Sequence, residues 1–116
     1  MPAVEEIEEI LNAANSSGQL PVERAKILQQ FFDDARKNAL ALYESGLIVT
    51  SRTYDREEIA RFWARQRQFF EAQLALVNSF QRKLKYPLSR ELDLSSVIDT
   101  LENLVAAASE HYEFHV

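Results

Sequence analysis

The stretch that decides the fold is DREEIARFWARQRQFFEAQLALVNSFQRKLKY, residues 55–86. Asp55 is a good helix N-cap, and Glu58 stands three residues later, as in a capping box. Neither glycine nor proline interrupts the run before Pro87, which cannot continue a helix. The pattern predicts one helix over this whole stretch, about 48 Å long at about 1.5 Å per residue.

The apolar residues of this helix cover a wide arc. At about 100° per residue they fall within about 160°, whereas an ordinary one-sided helix shows a stripe of about 100°. They are Ile59, Phe62, Trp63, Phe69, Phe70, Leu74, Leu76, Val77, Phe80 and Leu84. We therefore expect the helix to contact more than one neighbour. Its aromatic face would be completed by the first helix, by a second copy of the chain or by another protein.

Three further segments show helical periodicity. Residues 2–15 predict a short amphipathic helix with acidic flanks and an apolar stripe of Val4, Ile7, Leu11 and Ala14. Gly18 is a plausible left-handed residue after its end. A second helix should open at Pro21, which suits a first helical turn, and end near Ser45. A last helix should begin at Ser95 or Ser96, either of which can cap it.

Gly46 is the expected stop of the second helix, as a left-handed C-terminal glycine. Residues 47–54 are then predicted to be an ordered linker, although their β-branched residues also permit an extended piece. Because the connections are short, consecutive helices should alternate in direction. The predicted fold is an all-α, antiparallel up-down bundle of three long helices and one short N-terminal helix, forming a single domain over residues 1–116.

Composition and length fit that fold. The chain has 116 residues, 47% of them hydrophobic and 27% charged, with two glycines, which is typical of a folded helical domain. It has no cysteine, so disulfides, thiolate metal sites and cysteine nucleophiles are excluded. No run approaches the ~20 apolar residues of a membrane span, and residues 1–11 lack the features of a signal peptide. These features predict a cytoplasmic protein with no membrane partner.

The charge is unevenly distributed along the chain. The net charge is −5, yet residues 47–90 carry nine basic and four acidic groups. Both ends of the chain are acidic, which is typical of acidic outer helices packed beside a basic central one. A nucleic-acid-binding surface in the Arg52–Arg67 region is an alternative, but it is disfavoured because Glu57, Glu58 and Glu71 are interleaved as ion-pair partners.

Two polar features of the central helix are candidates for specific contacts. Gln66 and Gln73 interrupt the apolar arc, so each either hydrogen-bonds across an interface or lies at the edge of the buried face. Arg56 and Arg67 lie on one flank with Trp63, where a guanidinium could cover the indole.

His111 and His115 are the only histidines. Their spacing would put two imidazoles on one helix face, so a metal site is conceivable. However, Glu113 stands one place away from the position that the two-histidine metalloprotease motif requires. A solvated, fraying tail is the preferred interpretation.

No catalytic motif, phosphate-binding loop or cofactor signature is present. The sequence therefore predicts a non-enzymatic interaction module, an adaptor, assembly or regulatory factor, that binds another protein or a second copy of itself as a homodimer. The expected interaction residues are Arg56, Phe62, Trp63, Gln66, Arg67, Phe69, Phe70 and Gln73. A bundle that binds a small ligand or a metal through the glutamines and the histidine pair is the alternative, and nucleic-acid binding is a further one.

Overall fold

The computed structural model describes residues 4–85 and 88–116. Within those ranges it consists of helices α1 (Val4–Ser17), α2 (Val22–Ser51), α3 (Arg56–Lys83) and α4 (Ser95–His115), with a short 3-10 helix (Leu88–Glu91) before α4 and no strand. The all-α prediction is confirmed. The predicted helix limits at Pro2, Tyr86 and Pro87 lie outside the described residues. The predicted continuation of the central helix beyond Lys83 is wrong, because Leu84 leaves α3 in an extended conformation and Lys85 is not helical.

Contacts between the helices give their directions. Arg36 of α2 donates a hydrogen bond to Thr100 of α4 at 2.9 Å, and further along both helices the hydroxyl of Tyr43 lies 3.0 Å from Nε2 of His111. Because residue numbers rise in the same direction along both helices, α2 and α4 run parallel. The first residue of α3 donates to a backbone carbonyl in the last turn of α4. Since α3 starts where α4 ends, it runs in the opposite direction. Helix α4 packs along α3 more extensively than any other two helices pack together.

Helix α1 lies along one half of the groove between α2 and α3. Asn15 donates to the carbonyl of Lys83 at 2.5 Å and accepts from the N–H of Lys85 at 3.0 Å, while Glu8 pairs with Lys83 at 3.6 Å. The other edge of α1 borders a shallow depression that it shares with the first turn of α2. Its apolar stripe is 0–3% exposed and consists of Ile7, Ile10, Leu11 and Ala14. The rod is 55 Å long, and α1 spans only about 21 Å of it at about 1.5 Å per residue.

Aromatic rings form much of the core. Beside α1, Phe31 and Phe32 of α2 meet Phe80 of α3 edge to face, with ring centres 6.1 and 6.0 Å from that of Phe80, and their own ring centres lie 5.4 Å apart. Beyond the end of α1, where α2, α3 and α4 form the bundle without it, Trp63 and Phe70 are fully buried. None of the described helices combines the length and apolarity of a bilayer-spanning segment.

The predicted stop of the second helix at Gly46 is wrong. Gly46 is buried inside α2, which continues to Ser51. A Cβ atom at this position would lie 2.9 Å from Cε1 of Phe62 and 3.3 Å from Cη2 of Trp63. The glycine therefore allows α2 to approach α3 closely, and tertiary packing overrides its tendency to end a helix.

The predicted linker over residues 47–54 is wrong for residues 47–51 for the same reason, whereas residues 52–54 do connect α2 to α3. Residues 47–51 continue α2, and Leu47, Ile48 and Val49 are 40%, 55% and 48% exposed and do not cover the bundle end. By contrast, Gly18 ends α1 with a φ of 73°, the left-handed conformation that the sequence predicts. The Asp55 cap is confirmed, because its carboxylate accepts from the N–H of Glu57 at 2.9 Å.

Candidate functional site

Trp63 is the centre of a ring cluster that joins three helices. The imidazole of His111 from α4 stacks on its indole, with ring centres 4.2 Å apart and planes 14° apart. Tyr43 of α2 packs at 5.5 Å, and Phe62 stands perpendicular to the indole at 5.4 Å. Trp63 is 0% exposed, and its Nε1 makes no hydrogen bond within the described residues.

The prediction of a solvated, fraying histidine tail is wrong. Nε2 of His111 lies 3.0 Å from the hydroxyl of Tyr43. Nδ1 of His115 lies 2.7 Å from the carbonyl of His111, and because a carbonyl only accepts, that nitrogen carries the proton. Helix α4 accordingly extends to His115. In the two described ranges, no three His, Cys, Asp or Glu side chains come close enough together to hold a metal ion.

Burial lowers the pKa of His111 below its ordinary value of 6.5, and the nearby His115 lowers it further, while Glu110 acts in the opposite direction. The neutral imidazole is therefore the form that this packing favours at neutral pH. A neutral ring can stack on Trp63 without bringing a charge into the core. The cluster is thus a structural connection between α2, α3 and α4.

The two flanking arginines contact α4, not the indole as predicted. Arg56 donates to the carbonyls of Phe114 at 2.6 Å and His115 at 3.2 Å, the last carbonyls of α4. Arg67 lies over the ring of Tyr112, 5.7 Å from its centre. The accessible face of the Trp63 indole is already covered by the imidazole of α4, which explains why neither guanidinium reaches it.

The two central glutamines have different environments. Gln66 is only 7% exposed, and its Oε1 is buried without a hydrogen-bond donor among the described residues. Gln73 is half-buried. Of the two interpretations, the edge position therefore fits Gln73, whereas Gln66 leaves an unsatisfied acceptor in the core.

The structure distributes the expected interaction residues over several faces and does not gather them on one. Trp63 and Phe70 are fully buried within the chain. Phe62 is half-buried and Phe69 is 42% exposed, and these two lie on the α3 edge that faces away from α4. Most of the aromatic arc is thus buried against the other helices of the same chain, and only its outer edge borders solvent.

That edge borders an open cavity of about 320 Å³ between the end of α2 and the start of α3, here called the upper groove. Its lining residues are Val49 and Thr50 of α2, Thr53 of the connection that follows, and Glu58, Ile59, Arg61, Phe62 and Arg65 of α3. It continues the groove that α1 fills, since Arg65 and Lys83 are 18 residues, or about five turns, apart and thus lie on the same side of α3. The sequence patterns did not predict this groove. The sequence signal for this groove is the run Leu47–Val49. Three consecutive apolar residues of one helix cannot all face the core of the bundle, so some of them must lie at its surface.

Arginines dominate the rim of the upper groove. Arg61 pairs with Glu57 at 3.2 Å, as the spacing predicts, but both side chains are mostly exposed, at 56% and 81%. Such a pair contributes little to stability. Arg65 is exposed and makes no hydrogen bond or ion pair with any residue that the structure describes. Glu58 is the one acidic side chain in the lining.

A second open cavity, of about 550 Å³, lies between α3 and α4. Ala60 and Ala64 form part of it, with Tyr112 and Val116 opposite. Two of its polar residues are engaged within the chain, because the Arg56 guanidinium binds the carbonyls of α4 and the Nδ1 of His115 binds a backbone carbonyl. Glu57 and Arg61, which pair with each other, also line it.

No protein-family model, curated protein or solved structure matches this chain. Function is therefore inferred from the geometry of the described residues.

Proposed function

We propose that the chain is a non-enzymatic interaction module that binds a helix of another protein in the upper groove. The observation that carries this proposal is that α1 fills only one half of the α2–α3 groove. The other half is open, with Ile59 and Phe62 at its floor and Val49 at its edge. A hydrophobic groove between two helices is a common docking site for an amphipathic helix.

The groove favours a different protein over a second copy of this chain. A two-fold dimer through this surface would place the same patch of each copy against the other. The rims that carry Arg61 and Arg65 would then face each other, and like charges oppose association. The cysteine-free sequence is compatible with a reducing compartment, and we propose that this binding takes place in the cytoplasm.

Chemical-shift mapping with helical peptides tests the proposal. The probes are three helix-stabilised peptides that share the apolar stripe of α1 and differ only in having acidic, neutral or basic flanks. At least one should shift the amide signals of Val49, Ile59 and Phe62, while the signals of Ala13 in α1 and of Leu20 after it stay unchanged. Val49→Lys should weaken that binding. If none of the three peptides shifts the groove signals, the proposed function is wrong.

A further inference from the structure

We infer that the partner helix carries acidic residues along its flank and pairs them with the arginines of the upper groove. This inference rests on the proposed function and specifies the chemical class of the partner. It follows from the way in which the chain already fills the other half of the same groove.

Helix α1 is an internal example of a suitable occupant. It presents four buried apolar residues to the groove and carries Glu5, Glu6, Glu8 and Glu9 on its remaining faces. Glu8 reaches Lys83 on the outer side of α3. An acidic amphipathic helix therefore fits between α2 and α3.

Arg65 repeats the position of Lys83 in the open half. The two residues lie about five turns apart on the same side of α3, and Lys83 has its carboxylate on α1 while Arg65 has none among the described residues. A helix that continued the path of α1 would place its flank beside Arg65. A carboxylate there would accept the charge-assisted hydrogen bonds that a guanidinium offers.

The second rim arginine can change partners at little cost. Arg61 pairs with Glu57 of its own helix, and the two side chains are solvent-exposed. An exposed pair four residues apart on one helix is worth only about 0.3–0.5 kcal/mol. Arg61 is therefore available to a carboxylate on the partner. Arg52, exposed just beyond the end of α2, adds a third positive charge at the same end of the bundle.

The α1 helix of a second copy is a poor occupant, although it has the required charge. Its apolar stripe is 0–3% exposed in its own groove. It would have to leave that groove and expose those residues before it could bind elsewhere. The occupant that fits the open half is thus an acidic amphipathic helix of another protein.

Two helix-stabilised peptides with the same apolar stripe, one with glutamate flanks and one with lysine flanks, test this inference by fluorescence anisotropy. The glutamate peptide should bind the full-length chain at least about tenfold more tightly, and its affinity should fall as salt is added. Arg65→Glu should weaken binding of the glutamate peptide by about tenfold and strengthen binding of the lysine peptide. Arg82→Glu, an equal charge change at an exposed arginine of α3 outside the groove lining, should change neither affinity appreciably.

Several results would overturn the inference. Equal or tighter binding of the lysine peptide in the groove would contradict it while leaving the proposed function intact. Equal losses in Arg65→Glu and Arg82→Glu would show that the peptide responds to overall charge and not to the groove. Light scattering of the chain alone gives a third test, since a dimer that Arg65→Glu dissociates would make a second copy the occupant. Circular dichroism of both variants should match that of the unmodified chain, because both arginines are exposed.

Discussion

Gly46 of α2 lies against the ring of Phe62 of α3, so closely that a Cβ atom on the glycine would stand 2.9 Å from Cε1 of that ring. The same ring lines the upper groove. The close approach of the two helices and the floor of the proposed binding site are therefore set by one contact. A side chain at position 46 would change both.

Gly46→Leu should lower the free energy of unfolding by about 1 kcal/mol. Overpacking typically costs about 2 kcal/mol, and replacing a helical glycine returns about 1 kcal/mol of that. Urea denaturation measures the change. Ser45→Leu, at the exposed neighbouring position of α2, is the control and should leave stability within about 0.5 kcal/mol. Equal stability of the two variants would show that the Gly46 contact does not limit packing.

Gln66→Leu should stabilise the protein. Its buried Oε1 lacks a donor in the described structure, and an unsatisfied buried polar group costs about 1–3 kcal/mol. Leucine has a similar volume and no polar atom, so a gain of about 1 kcal/mol is expected in chemical denaturation. Gln73→Leu, at a half-buried position of the same helix, should have a smaller effect. A loss of stability in Gln66→Leu would mean that the amide has a bonding partner.

Stability should fall as the pH is lowered from about 7.5 to about 5. Burial lowers the pKa of His111 in the folded chain below the ordinary value of 6.5, so the folded state binds fewer protons than the unfolded state in this window. The contribution of neutral His111 to the free energy of unfolding is present above the pKa of the histidine in the unfolded chain. It is lost as the pH falls through the pKa of His111 in the folded chain. The groups around the ring are Tyr43, Trp63, Glu110 and His115.

His111→Phe is the matched variant for this pH dependence. Phenylalanine preserves an aromatic ring beside Trp63 but cannot be protonated. The free energy of unfolding of this variant, measured by urea titration at each pH, should vary less over the window. A slope as steep as that of the unmodified chain would assign the pH dependence to other groups.

Asn15→Ala should loosen α1. The Asn15 amide bonds both the carbonyl of Lys83 and the N–H of Lys85, which ties the end of α1 to the end of α3. Loss of these two bonds should cost about 1–2 kcal/mol and raise amide hydrogen exchange in α1 more than in α4. Asn12→Ala, at an exposed position of α1, is the control. Unchanged exchange in α1 would show that its apolar stripe alone holds it.

The sequence predicted those parts of the fold whose local signals agree with their tertiary surroundings. The cap at Asp55, the left-handed turn at Gly18 and the burial of Ile7, Leu11 and Ala14 in α1 all have this property, although Val4 of the same predicted stripe is 39% exposed. Each depends on residues within about one or two helical turns. The all-α class followed from the same short-range patterns.

The errors arose where a distant contact decided the outcome. Gly46 resembles a helix stop, but the need for space beside Phe62 and Trp63 keeps it inside a helix. The histidines near the end of the chain resemble a solvated tail, but the Trp63 indole stacks with His111. The upper groove was not predicted, because it exists only where α1 ends partway along a longer pair of helices. Neither the contacts between distant residues nor the relative lengths of packed helices can be read from a short window of sequence.

The extensive packing of α4 along α3 also has a consequence for the order of folding. These two helices are neighbours in sequence, so their contacts close a short loop and cost little chain entropy. We expect the α3–α4 hairpin to form first, with α2 joining it afterwards and α1 docking last on the surface that the others create. Mutations at the α3–α4 seam should slow refolding, whereas mutations in α1 should mainly speed unfolding. The groove that α1 half fills would then be a surface that exists for a time without any occupant.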